Sequence, residues 1–215
     1  MILATNQQVP VRFRKDAHGY LLAAIALVAW GLADVRAIAA DAGAGKAKAE
    51  ACASCHGENG VSEIDDTPSL AGQPDAFIQW QLVFFRSGAR KNEVMSPIAE
   101  QLSNEDVRDL AGYFASLNPS GQSQDKGPDD QPQLTEAGKK AAAAGRCASC
   151  HGDDFAGSKA TARIAGQREE YIAKALQDYK SGARSGGGVA AMAEVTYHLN
   201  EQDMAALAHY LARFR

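Results

Sequence analysis

The hexapeptide Cys-Ala-Ser-Cys-His-Gly occurs twice in this chain, at residues 52–57 and 147–152, 95 positions apart. A motif repeated letter for letter constrains the fold more than any composition figure, because a repeat reveals the folding unit. The two copies stay in register downstream. Leu70-Ala71-Gly72-Gln73 is answered by Ile164-Ala165-Gly166-Gln167, and Phe85-Arg86-Ser87-Gly88-Ala89-Arg90 by Tyr179-Lys180-Ser181-Gly182-Ala183-Arg184, both at a shift of 94. Met95 is answered by Met192 at a shift of 97, the additional residues being absorbed in Ser185-Gly186-Gly187-Gly188. A length of 215 residues suits two small domains.

Each copy reads as helical, which makes the fold class all-α. The spacing predicts a first helix over 46–54 and over 136–148, carrying the cysteines, with Thr135 as the N-cap of the second of these. A second helix is predicted over 74–87 and 168–181. The last is the clearest. Ser103 and Asp106 form a capping-box pattern ahead of the apolar stripe Val107, Leu110, Ala111, Phe114 and Leu117, and Met204, Leu207, Ala208, Leu211 and Phe214 repeat that stripe. The domains are expected at 40–118 and 133–215, with 119–132, a polar stretch rich in proline and glycine, as the linker.

Residues 1–39 have the order of a secretory signal: Arg12, Arg14 and Lys15, an uncharged apolar run over 20–33, then the small triplet Ala37-Ile38-Ala39. Cleavage after Ala39 is expected, with an uncleaved anchor as the alternative because Asp34 and Arg36 interrupt the approach to that site. Either outcome places the rest of the chain in the periplasm. Membrane association would then arise only through partners or an uncleaved N-terminal segment. A formal net charge of −4 argues against nucleic acid as a partner, since phosphate binding needs a basic face.

Three short helices do not by themselves stabilise a unit of this size, where a core rarely supplies more than ~3–5 kcal/mol. The cysteine motif indicates what fills the middle. Cys-x-x-Cys-His on a helix places two thiols one turn apart with an imidazole on nearly the same face. Cys52 and Cys55, and likewise Cys147 and Cys150, can add to the two vinyl groups of one haem edge while His56 or His151 reaches the iron. A redox disulfide within each motif would want a βαβ context, and zinc would want four ligands where each motif offers three. The expected cofactors are therefore two covalently bound haem c groups.

Each iron then needs a sixth ligand. Of the remaining histidines, His198 and His209 lie only in the second copy, opposite Gln101 and Gly112 in the first. Met95 and Met192 match between copies, each in a stretch expected to be non-helical, and are the expected axial ligands with His56 and His151. His198 stands as the alternative at the second iron. Met204 falls on the apolar stripe and reads as core. A thioether ligand favours the reduced state, so such a centre passes electrons.

This ensemble resembles the dihaem cytochrome c4 family of bacterial periplasmic electron carriers, over nearly all of the chain beyond residue 39. The resemblance implies two tandem class I cytochrome c domains facing each other. It also implies redox protein partners: a respiratory donor complex or a dehydrogenase on one side and a terminal oxidase on the other. Related dihaem modules are electron-accepting subunits of periplasmic dehydrogenases of the sulfide or alcohol type, and a dihaem peroxidase is the more distant alternative. Pro68 resembles the family proline whose carbonyl orients the proximal histidine, and its register partner is Ala162. Gln73, Gln167, Arg90 and Arg184 read equally as contacts to haem propionates and as helix-cap or solvated surface residues.

Charge is unevenly divided: residues 40–118 hold 6 basic and 12 acidic groups, residues 133–215 hold 11 and 9. Such asymmetry steers encounter more than it sets affinity. With a screening length of about 8 Å at physiological salt, the rate of reduction by a basic partner is expected to fall steeply as ionic strength rises. Stopped-flow reduction from low to high salt checks this, and a flat rate would contradict it.

Overall fold

The computed structural model describes residues 40–119, 127–185 and 189–214. The expected signal segment, residues 120–126 of the linker and Gly186-Gly187-Gly188 lie outside the described residues. The first copy contains α1 (Ala42–Ala49), α2 (Ala53–His56), α3 (Asp75–Arg86), α4 (Met95–Glu100) and α5 (Asn104–Ser116). The second repeats the order with α6 (Pro132–Ala144), α7 (Ala148–His151), α8 (Glu169–Ser181), α9 (Ala190–Tyr197) and α10 (Glu201–Arg213). No strand occurs among the described residues, only an isolated bridge between Ser158 and Thr161. None of the described helices is long and apolar enough to cross a membrane.

The cysteine-bearing helix differs from expectation in both copies. In the first, α1 tightens into a 3₁₀ turn at Glu50–Cys52 before α2 begins. In the second, α6 ends at Gly145, and Arg146 adopts a left-handed φ of 53° before α7. The Cys-His turn is thus a separate one-turn helix. Thr135 is not an N-cap either: α6 starts at Pro132, where a missing N–H leaves no bond unmade. The Thr135 hydroxyl instead donates to Asp129 Oδ2 at 2.6 Å. The capping box at Ser103 and Asp106 is present as expected, and Asn200 with Asp203 repeats it on α10.

α1 crosses α5, and α6 crosses α10, at glycines. A Cβ on Gly45 would lie 2.1 Å from the Asp109 carbonyl oxygen and 2.8 Å from Tyr113 Cβ. On Gly138 it would lie 2.1 Å from the Ala206 carbonyl oxygen and 2.5 Å from Tyr210 Cβ. Only a residue without a side chain lets the two backbones approach this closely. The apolar stripes pack beneath these crossings, with Val107, Leu110, Ala111 and Phe114 buried on α5 and Met204, Leu207, Ala208 and Leu211 buried on α10.

A polar cluster ties α1 to α5. Lys48 on α1 reaches Asp106 Oδ1 at 2.7 Å and Asp109 Oδ2 at 2.8 Å, and Asp109 also accepts from the Asp41 N–H at 2.9 Å. Hydrogen bonds from Lys48 and Ser103 hold Asp106 well below the usual carboxylate range. In the second copy the buried His209 of α10 instead meets the linker and α8, with Nε2 3.0 Å from Asp129 Oδ1 and Nδ1 3.2 Å from Glu169 Oε1. Bonds from Thr135, the Gln131 N–H and His209 bring Asp129 down to about 2. This ties the end of the linker to α10.

The crossings predict the cost of a methyl group. Gly45→Ala and Gly138→Ala should each destabilise the protein by ~1–3 kcal/mol or more, the range for overpacking a close contact. Thermal unfolding of the purified protein checks this, and unchanged midpoints would show that the backbones do not meet there.

Candidate functional site

The site in each copy is built around the one-turn helix and the glycine that ends it. Gly57 has a φ of 81° and Gly152 a φ of 83°. A Cβ on Gly57 would lie 2.0 Å from the Val61 carbonyl oxygen, so the sixth letter of the hexapeptide is needed for the chain to reverse. The reversal brings residues 60–71 and 155–165 back across the histidine. The Gly60 carbonyl accepts from the N–H groups of Leu70 and Ala71 at 2.7 and 3.0 Å, and the Phe155 carbonyl accepts from Ile164 and Ala165 at 2.9 and 3.1 Å.

Those loops present one carbonyl to each imidazole. His56 Nδ1 donates to the Pro68 oxygen at 2.8 Å, and His151 Nδ1 donates to the Ala162 oxygen at 2.8 Å. A carbonyl only accepts, so Nδ1 carries the proton and Nε2 keeps its lone pair. Burial lowers the pKa of both histidines, which favours the same neutral form. The expected proline is therefore not required: Ala162 supplies an equal bond from the same register position.

None of the four cysteines is paired with another in a disulfide. Cys55 and Cys150 are exposed, while burial pushes the Cys52 and Cys147 thiols up. The described residues contain no group of three or more His, Cys, Asp or Glu able to hold a metal ion. Zinc thus has no ligand set among them. Two thiols on one turn beside an imidazole with a free Nε2 fit the edge and the iron of a haem.

Met95 and Met192 both lie on short helices, contrary to the non-helical stretches expected for them. Asn92 caps α4 by accepting from the N–H groups of Val94 and Met95 at 3.0 and 2.8 Å, and Pro97 sits early enough in α4 to be tolerated. In the second copy the strong helix formers around Met192 outweigh the glycines before them. Both methionines are half-buried, and Met192 rests with Cys147 against the same core of Ile172, Leu176, Leu199 and Met204. His198 is exposed beside Tyr197, and His209 has both ring nitrogens engaged by carboxylates.

The residues given two equal readings serve neither as helix caps nor as open surface. Gln73 donates through Nε2 to the Arg163 oxygen at 2.8 Å and accepts from the Arg163 N–H at 3.0 Å. Gln167 does the same with Ser69, at 2.9 and 2.8 Å. Both glutamines are buried, and each binds the loop that follows the other copy's histidine. Arg90 and Arg184 converge on Gln81 Oε1 at 2.7 and 2.8 Å, and Arg90 also reaches the Tyr171 hydroxyl at 3.3 Å. Burial pushes the Tyr171 phenol up, but the guanidiniums of Arg184 and Arg90 outweigh it and bring it down to about 8. Sequence reasoning missed this partnership because its contacts between the two copies span 81 to 103 positions.

Comparison with known proteins agrees with this geometry. The Cytochrome c family profile matches residues 135–214, and the profile described as Cytochrome C oxidase, cbb3-type, subunit III matches residues 39–114. The fold and the paired motifs define a dihaem c-type cytochrome, with two tandem class I domains and covalent haem c at Cys52/Cys55 and at Cys147/Cys150. Cytochrome c4 of Azotobacter vinelandii is 32% identical, over 86% of this chain and 94% of that protein. The crystal structure of reduced recombinant cytochrome c4 from Pseudomonas stutzeri superposes with a TM-score of 0.74 at 30% identity, covering 82% of this chain and 100% of that one. The thiosulfate dehydrogenase electron acceptor of Thiomonas intermedia is 33% identical, over 77% of this chain and 79% of that protein. The chain belongs to the dihaem cytochrome c4 family, and it carries electrons.

Thioether attachment predicts that acid–acetone extraction leaves both haems on the polypeptide. Loss of one or both into the organic phase would contradict attachment at the corresponding cysteine pair.

Proposed function

We propose that the protein is a periplasmic carrier of single electrons between respiratory-chain donors and a terminal oxidase or other acceptor. In this reading His56 and Met95 bind the first iron and His151 and Met192 the second. The observation that carries it is the matched Nδ1 hydrogen bond, at 2.8 Å in both copies, which leaves each Nε2 as a ligand lone pair. The haem iron supplies the one-electron couple. The chain would supply the rest: the carbonyls of Pro68 and Ala162 would orient the imidazoles, the cysteine pairs would hold the haem through thioethers, and Met95 and Met192 would be the second ligands of the irons. Neither site then keeps an open coordination position, which favours a carrier over an enzyme.

The segment at 1–39 supports export, with cleavage after Ala39, and the domains are assigned to 40–118 and 133–215 around the linker at 119–132. A second reading, a dihaem subunit accepting electrons within a dehydrogenase complex, is favoured by the similarity to the Thiomonas acceptor. Co-purification from native periplasm separates the two, since a subunit would arrive with a cofactor-bearing partner and a free carrier would arrive alone. A peroxidase would need an open iron and is disfavoured by two matched methionines.

The ligand assignment predicts that Met95→Ala or Met192→Ala removes about half of the sulfur-to-iron charge-transfer absorption and opens one reduced haem to carbon monoxide. An unchanged spectrum would place the ligand elsewhere, with His198 as the first candidate at the second iron.

A further inference from the structure

Each methionine-bearing segment is closed at its base by a cation from the end of the preceding long helix. In the first copy Arg86, the last residue of α3, donates through Nη1 to the Leu102 oxygen at 2.9 Å and through Nη2 to Asn104 Oδ1 at 2.7 Å. In the second, Lys180 near the end of α8 donates through Nζ to the oxygens of Thr196 at 3.4 Å and Tyr197 at 3.1 Å, and to that of Leu199. Arg86 and Lys180 are register partners, and so are Leu102 and Leu199. The clasp spans 16 positions in one copy and 19 in the other. The additional residues of the second copy fall in sequence between Lys180 and Leu199, and both cations reach the same register position, the carbonyl of Leu102 or Leu199.

In the second copy a hydrogen-bonded path runs from the cation to the methionine. Lys180 binds the Thr196 carbonyl, and the Thr196 hydroxyl, fully buried, donates to the Met192 carbonyl at 2.8 Å. Two of the carbonyls that Lys180 engages, those of Thr196 and Tyr197, belong to the last residues of α9, where a cation also meets the negative end of the helix dipole; the Thr196 carbonyl accepts from the Leu199 N–H as well, at 3.1 Å. Bonds from an ammonium to carbonyls are charge-assisted and stronger than neutral ones. The α4 segment has its own second tether, the Asn92 cap at the Met95 N–H.

We propose that Arg86 and Lys180 are positioning residues that hold the two methionine-bearing helices shut and so keep each thioether on its iron. The inference rests on the assignment of Met95 and Met192 as ligands. A ligand on a short helix between two loops leaves its metal whenever that helix swings away, so the fraction of time the iron is open depends on what anchors the helix base. Removing Lys180 frees the end of α9 and, through Thr196, the Met192 backbone. Removing Arg86 leaves α4 still capped by Asn92, so the effect on the second haem should be the larger.

The test uses the full-length protein with both haems attached, comparing wild type with Lys180→Met, Lys180→Arg, Arg86→Leu and Met192→Ala. Apparent carbon monoxide affinity scales with the fraction of reduced protein whose iron is open. Lys180→Met should raise that affinity about tenfold at one haem only, a change in the open fraction equivalent to losing one charge-assisted bond. It should also lower that haem's midpoint potential and move the loss of the charge-transfer absorption to lower pH. Lys180→Arg, which keeps the donor and its charge, should restore all three. Arg86→Leu should act in the same direction on the other haem, less strongly. If Met192→Ala opens its haem but Lys180→Met leaves carbon monoxide binding, potential and absorption as in wild type, the ligand assignment stands and the clasp is overturned. A lower melting temperature with unchanged ligand spectra would likewise overturn it, since the lysine would then be structural only. If Met192→Ala itself changes nothing, the ligand assignment fails, and this inference fails with it.

Discussion

One turn of helix governs each half of this molecule. Two thiols and an imidazole within five residues have to face one flat group, which requires a helical turn followed by an abrupt reversal. Gly57 and Gly152 permit that reversal through a positive φ. The returning loop then delivers a carbonyl to the imidazole Nδ1, and that single bond sets the tautomer, the ring plane and the availability of Nε2. The surrounding helices hold this turn in place: α1 and α6 lead into it, and α5 and α10 cross behind it at Gly45 and Gly138.

The two halves are joined through the same loops that orient the histidines. Gln73 and Gln167 exchange paired amide bonds with the backbones of Arg163 and Ser69, neighbours of Ala162 and Pro68. The exchange follows the twofold relation of the repeat, since both glutamines and both backbone partners are register equivalents. Arg168 adds a bond to the Ser62 oxygen at 3.1 Å and an ion pair with Asp65 at 2.7 Å. The symmetry breaks at Gln81 and Tyr171, whose register partners are Ala175 and Phe77. Both arginines therefore turn toward one neutral amide, and the polar surroundings of the two halves are unequal.

Much of this was legible from the residues. The repeat, the all-α class, the apolar stripes of α5 and α10 and the capping box at Ser103 rest on local spacing, which a sequence displays directly. The pairing of each histidine with residue 68 or 162 was legible through the resemblance. What escaped depends on tertiary contacts. Gly45 and Gly138 sit in alanine- and lysine-rich segments that look like ordinary helix, and only the crossing helix gives them meaning. The break between α6 and α7 follows from Arg146 entering a left-handed conformation that no local propensity favours. Gln73 and Gln167 were recognised as notable, but their partners lie 90 and 98 positions away. The helicity of the methionine segments was hidden by Pro97 in one copy and by the glycines in the other.

We propose that both irons are held closed, by His56 and Met95 in the first copy and by His151 and Met192 in the second, so that electrons are the only traffic. Exposure of the fully reduced wild-type protein to carbon monoxide at neutral pH tests it most directly. With both irons closed, the spectra of both haems should stay essentially unchanged at gas concentrations that saturate the Met192→Ala variant. Ready binding of carbon monoxide by either haem of the wild-type protein would contradict it and would mark that site as open to substrate.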